Sequence, residues 1–173
     1  MILFEDECSL SNTATISYTW IERGKQPKIE CKQRRKERVT LFGAVDYSSG
    51  QVIAQYAKKG NALSFKKFLK KVLKQLKNKR VVMVLDNVQY HHAKKLKGFL
   101  AKNEERLELL FLPPYSPDLN PMERVWWLMR KRITHNRACI SLDDRIVKFW
   151  KLFSHFQKPN IEILKVCNNN FSV

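Results

Sequence analysis

Three carboxylates in this chain stand where carboxylates can hold metal ions and act on phosphate esters. Asp6 closes the short strand-like run that begins at Ile2, and Asp86 closes the apolar run Val81-Val-Met-Val-Leu85. Glu123 stands in the first turn of a helical pattern, directly behind a stretch that packs four of the six prolines into residues 113–121. A stiff loop that feeds straight into a helix fixes the start of that helix, and with it the acid it carries. Clustered carboxylates repel and raise each other's pKa unless a cation joins them. Mg2+ suits such a cluster, because it is hard, prefers oxygen and binds through a few carboxylates plus substrate phosphate. With three acids, two ions ~3.5–4 Å apart could clamp the attacking and leaving oxygens of an in-line phosphoryl displacement.

Each acid also has a plain structural explanation. Asn120, Pro121 and Glu123 read as N-cap, first helical residue and third helical residue of an ordinary helix start. Asp86 followed by Asn87 reads as a strand-end turn. Asp6 lies between Glu5 and Glu7. Strand alternation groups Asp6 with Ile2 and Phe4, and the two glutamates with Leu3, without choosing which faces a cleft. In open α/β sheets, sites gather outside the strand ends. If the strands ending at Asp6 and Asp86 are parallel neighbours, their carboxylates lie side by side.

The elements that must position these acids are legible in order. Ile2 to Asp6 reads as a buried strand that ends at Asp6, and Thr13 to Trp20 as extended chain. Arg23 to Pro27 reads as a turn. Val39 to Val45 and Gln51 to Tyr56 read as a hairpin joined by Asp46-Tyr-Ser-Ser-Gly50. Phe65, Phe68, Leu69, Val72, Leu73 and Leu76 form one apolar helical stripe, with Lys66, Lys67, Lys70, Lys71, Lys74 and Lys77 on the other face. Val81 to Asp86 is a run of the kind buried on both faces of a sheet. Ala93, Leu96, Phe99 and Leu100 mark a helix, Leu107 to Leu112 a strand, and Pro121 to about His135 a helix. A last helix follows Ser141, and the tail from Asn168 reads as frayed. The order predicts one α/β domain over residues 1–173, with a mixed sheet of about five strands flanked by helices.

Composition bounds the function. The 33 Lys+Arg against 16 Asp+Glu give +17, which favours a polyanionic partner, nucleic acid first. No apolar run approaches the ~20 residues that span a bilayer, and the N-terminal stretch turns acidic too early for an export signal, so a cytoplasmic protein is expected. Cys8, Cys31, Cys139 and Cys167 lack zinc-finger spacing and read as free thiols in or near the core.

The segments Leu85-Asp-Asn-Val-Gln-Tyr-His91 and Leu110-Phe-Leu-Pro-Pro-Tyr-Ser-Pro-Asp-Leu-Asn-Pro-Met-Glu-Arg-Val-Trp126 resemble the DDE transposases of bacterial insertion sequences, in the branch related to mariner elements. Phe4-Glu-Asp-Glu7, Thr19-Trp-Ile-Glu-Arg-Gly24 and Phe42-Gly-Ala-Val45 are similar to the earlier blocks of that family. The resemblance implies a ribonuclease H-like fold and makes Asp6, Asp86 and Glu123 the catalytic, metal-binding acids. It implies Mg2+, with Mn2+ as a substitute, and puts Asn87 and His91 beside the site. The activity it implies is metal-dependent DNA cleavage and strand transfer during transposition, by a homodimer on element ends and target duplex in the nucleoid. Basic residues expected to hold DNA are Arg34, Arg35, Lys36 and Arg38, then Arg124, Arg130, Lys131 and Arg132. The family's N-terminal helix-turn-helix region has no counterpart ahead of Asp6, which leaves three readings open: the second of two reading frames with a separate helix-turn-helix polypeptide as partner, a trimmed catalytic domain, or a remnant. The alternative is an inactive remnant that keeps fold and charge and serves only as a DNA-binding or assembly module.

Overall fold

The computed structural model describes residues 1–25, 28–29, 36–114 and 116–168. Five strands, β1 (Ile2–Ser11), β2 (Arg38–Asp46), β3 (Val52–Ala57), β4 (Val81–Leu85) and β5 (Leu107–Phe111), form one sheet in the order β3-β2-β1-β4-β5. The first three make an antiparallel meander, while β4 and β5 run parallel to β1. The helices are α1 (Ala62–Gln75), α2 (Lys94–Ala101), α3 (Met122–Ile133), α4 (Leu142–Phe153) and α5 (Ile161–Asn168).

Strand alternation sends successive side chains to opposite faces, and each face has its own core. On one face Leu3, Phe42, Met83 and Leu85 meet the buried stripe of α1, and Leu96 of α2. On the other, Cys8, Leu10, Leu41 and Val45 meet Trp126 and Met129 of α3, Phe149 and Phe153 of α4, and Ile163 of α5. Each such side chain contributes about 1.5–3 kcal/mol by leaving water. The lysines of α1 are exposed or half-buried. Lys71 instead reaches the Ala54 carbonyl at 2.7 Å and lies over the Trp150 ring.

Close packing between α3 and the sheet depends on Gly43. A Cβ there would come within 2.4 Å of the Met122 terminal methyl and 2.5 Å of the Trp126 ring. The absence of a side chain lets α3 rest directly on β2.

Two expectations are corrected, and the extended stretch Thr13 to Trp20 is placed. The first strand does not end at Asp6: β1 continues to Ser11, because β2 pairs with it along its whole length, Asp6 facing Gly43. Thr13 to Trp20 adds no strand to the sheet. It is tied to the end of α3 by a single bridge, Thr15 to His135, and by Asn136, whose carboxamide exchanges two hydrogen bonds with the Ser17 backbone. The chain beyond α4 also forms a further helix. Asn160 accepts hydrogen bonds from the Glu162 and Ile163 amides and starts α5, which buries Ile163 and Cys167.

Candidate active site

The parallel pairing of β1 with β4 covers Ile2 to Phe4 against Val82 to Val84. Carrying that register two places further brings Asp6 opposite Asp86. There β4 stops and its chain turns away, whereas β1 goes on beside β2. The two acids therefore sit side by side at the strand end, although only one of their strands ends there.

Glu123 comes to the same place from α3. Asn120 starts that helix: its side-chain oxygen accepts the Met122 N–H at 3.1 Å and its carbonyl accepts the Glu123 N–H at 3.2 Å. The Asn120 amide also donates to the Glu5 carbonyl at 2.7 Å, anchoring the helix start to β1. Capping is done by Asn120, and the exposed Glu123 carboxylate is left to face the cleft. Asp6, Asp86, Asn87, Pro113, Asn120 and Glu123 are among the residues that line it, around a volume of about 430 Å3. Asn87 donates to the Leu112 carbonyl and so ties the loop after β4 to the proline-rich loop.

Electrostatics follow from this geometry. Asp6 is pushed up to about 7, first by burial and then by the charges of Glu7, Glu123 and Asp86. Glu123 is raised by partial desolvation against the cleft wall, with Asp118 and Asp86 adding to the effect and Arg130 opposing it. Asp86 is held below the usual carboxylate range by its hydrogen bond with His91. Oxygens of Asp6, Glu7 and Asp86 lie within 4.8 Å of one another, with Glu123 facing them from the cleft wall. A set of hard oxygen donors whose negative charge His91 and Arg130 offset only in part fits a divalent cation.

His91 is buried, in a 3₁₀ turn over Gln89–His92 that follows β4. Its Nδ1 lies 3.2 Å from the Asp86 carbonyl oxygen and 3.4 Å from Asp86 Oδ1, and its Nε2 lies 3.0 Å from Glu7 Oε1. Burial works against a charged ring, but the hydrogen bonds with Asp86 and Glu7 outweigh it and raise His91 to about 9. Glu7 also accepts from the Tyr90 hydroxyl. Glu5, on the same face, is dry, and burial first, then Glu7, Asp6 and Asp86, push it well above the usual range. Sequence reasoning set Glu5 and Glu7 aside once Asp6 was chosen. Their alternation with buried Leu3 was the signal that two acids enter the core and need partners there.

Of the basic residues, Arg34 and Arg35 lie outside the described residues. Lys36 and Arg38 are exposed at the start of β2. On α3, Arg124 is half-buried, Arg130 reaches the Cys8 sulfur at 3.6 Å, Lys131 lies over the exposed Trp127 ring, and Arg132 pairs with Glu162 of α5. No helix among the described residues is long and apolar enough to cross a membrane.

Residues 1–145 match the family described as DDE superfamily endonuclease. The chain is 25% identical over 142 residues to the insertion element IS630 uncharacterized 39 kDa protein of Shigella sonnei, covering 82% of this chain and 41% of that protein. Its fold superposes on the catalytic domain of Mos1 mariner transposase with a TM-score of 0.60 at 19% identity, covering 97% of this chain and 76% of that one. Against the mariner Mos1 paired end complex with Mg the TM-score is 0.68 at 17% identity, over 97% of this chain and 53% of that one. The fold is thus that of the Mos1 catalytic domain, ribonuclease H-like. The chain spans about half the length or less of the insertion-element protein and of the complexed transposase.

Proposed function

Because the chain belongs to the DDE superfamily endonucleases, we propose that it is the catalytic part of an insertion-sequence transposase, which cleaves DNA at element ends and joins the freed end to a target. The observation that carries this reading is the meeting of Asp6, Asp86 and Glu123 in one cleft from three separate segments of chain. Asp6, Asp86 and Glu123 would hold Mg2+ or Mn2+. When bound, such ions supply Lewis-acid stabilisation of the phosphate oxygens in an in-line displacement. The relation to a Mos1 complex with Mg supports that choice of ion.

The chain's own residues do the rest. Asn120 and the proline-rich loop keep Glu123 at a fixed height over the sheet, and His91 holds Asp86 from behind. Water attacks a phosphodiester and leaves a 3′-hydroxyl, which then attacks a target phosphodiester by the same displacement. No covalent bond to the protein is required. Lys36, Arg38, Arg124, Arg130, Lys131 and Arg132, with Arg34 and Arg35, supply positive charge for the DNA backbone. The net charge of +17 supports this, and binding that rests on phosphates weakens steeply with salt. Mos1 is recorded as a paired-end complex, which supports a dimer on DNA here as well.

The test is cleavage of labelled element-end DNA with Mg2+ by wild type and Asp86→Asn. A loss of roughly a thousandfold or more is expected, with DNA binding retained. Full cleavage by the variant would overturn the assignment. An RNA–DNA hybrid cut in preference to duplex would redirect it to a hybrid nuclease.

A further inference from the structure

We propose that Glu5, Glu7 and His91 form a second, closed cation site behind the open cleft, with Glu7 common to both acid sets, for a structural divalent ion of the zinc or manganese class. The His91 and Glu5 side chains are fully buried and that of Glu7 is 13% exposed. One ligand atom from each lies within 4.8 Å of the others. His91 Nε2 is 3.0 Å from Glu7 Oε1 and 3.9 Å from Glu5 Oε2. Atoms bound to one zinc ion at about 2.0–2.2 Å in tetrahedral geometry stand about 3.3–3.6 Å apart, so small side-chain shifts bring the three donors onto one ion, and the second, unpartnered oxygen of Glu5 is at hand for the fourth position.

Glu5 points to a ligand independently. Both of its carboxylate oxygens are shut off from solvent and neither has a hydrogen-bond partner. A dry carboxylate in that state is costly, and buried acids of this kind are paired or coordinate metals. His91 is already arranged as a metal-bound histidine would be. Its Nδ1 faces the Asp86 carbonyl, which accepts an N–H there and directs Nε2 at the two glutamates. Such a bond from the far ring nitrogen accompanies nearly every histidine that binds metal, and carboxylate ligands are hydrogen-bonded in turn, as Glu7 is by Tyr90. Phe65 and Tyr90 pack the ring at centroid distances of 4.3 and 4.7 Å and fix its plane.

The donor set selects the ion. One imidazole nitrogen with two carboxylates suits zinc or manganese better than magnesium, which keeps to oxygen and retains water. An ion entering this site displaces the proton on Nε2, which leaves to solvent. The slight exposure of Glu7 makes exchange slow, in contrast with the open cleft.

The test uses the full chain carrying Asp6→Asn and Glu123→Gln, which disables the open cleft and leaves the three ligands intact. The protein is unfolded with chelator, refolded with Zn2+ or Mn2+, and analysed for metal after gel filtration. About one ion per chain is expected, with a melting temperature about 5–10 °C above the chelated protein at a hundredfold excess over Kd. Adding Glu5→Gln keeps the shape, and should abolish both the bound ion and the metal-induced rise while the chelated protein still melts cooperatively. Loading with Co2+ should give visible bands that His91→Gln shifts or removes. No ion retained by the parent with either metal, or retention undiminished by Glu5→Gln, overturns the proposal.

Discussion

Glu5, Asp6 and Glu7 are consecutive acids on one strand, yet the pleat sends them to two different surroundings. Asp6 faces α3, in a cleft whose other acids, Asp86 and Glu123, reach solvent. Glu5 and Glu7 face the α1 side, where His91 closes over them. On the open side the negative charges are only partly offset, by His91 beside Asp86 and Arg130 near Glu123, and stay available to ions and phosphates. On the closed side they are neutralised within the protein or by an ion it encloses. Position along the chain hardly differs among the three residues; what differs is which layer of helices each one meets. Substitutions on the closed side should therefore be felt in stability, and those on the open side in chemistry.

The largest stability effect is expected at His91. His91→Ala removes the partner of half-buried Glu7 together with the ring packed on Phe65, at a cost of about 3–4 kcal/mol in denaturant unfolding. Glu123→Gln, at an exposed position, should stay within about 0.5 kcal/mol. Equal costs for the two would erase the distinction between the sides. Gly43→Ala comes next, at about 2 kcal/mol, because the new methyl must push Met122 and Trp126 away. Since α3 carries Glu123 and not the closed set, cleavage should fall by more than the loss of folded protein, with metal retention in the closed site unchanged. A loss of retained metal in Gly43→Ala would show that the two sides are not independent.

The smallest effect concerns Asp6 and pH. The unfolded chain loses this proton near 3.8, and the folded chain keeps it to about 7. Folding takes up a proton between those values, so stability falls as pH rises through that window. In chelator, wild type should lose about 1–2 kcal/mol relative to Asp6→Asn between pH 5 and 8, a few degrees in melting temperature. Parallel melting curves for the two proteins would mean that the cleft does not hold Asp6 under electrostatic pressure.

What the sequence revealed and what it hid have physical causes. The stripe of α1 and the run Val81–Leu85 were legible because one side is uniformly apolar in each. The acids Asp86 and Glu123 were legible because punctuation surrounds them, Asn87 after one and the prolines before the other. The extension of β1 to Ser11 was hidden because Glu5 to Ser9 is mostly polar. Its pairing comes from β2, which begins only at Arg38, and not from its own pattern. Helix α5 is only eight residues long and owes its order to burial of Ile163 and Cys167. The Glu7–His91 contact joins positions 84 apart, and no local pattern announces a contact of that span.

The bond from the Asn120 amide to the Glu5 carbonyl also has a consequence in time. It joins residues 115 positions apart, and β1 meets β4 across about 80. Contacts of such span wait for long loops to close, whereas hairpins and single helices form early. The β1–β2–β3 meander can pair and α1 can dock while later residues are still being synthesised. At that stage Asp6 stands alone, since Asp86 waits for β4 and Glu123 for α3. The growing chain has its acids dispersed until the last third of the sequence has emerged and settled on the sheet.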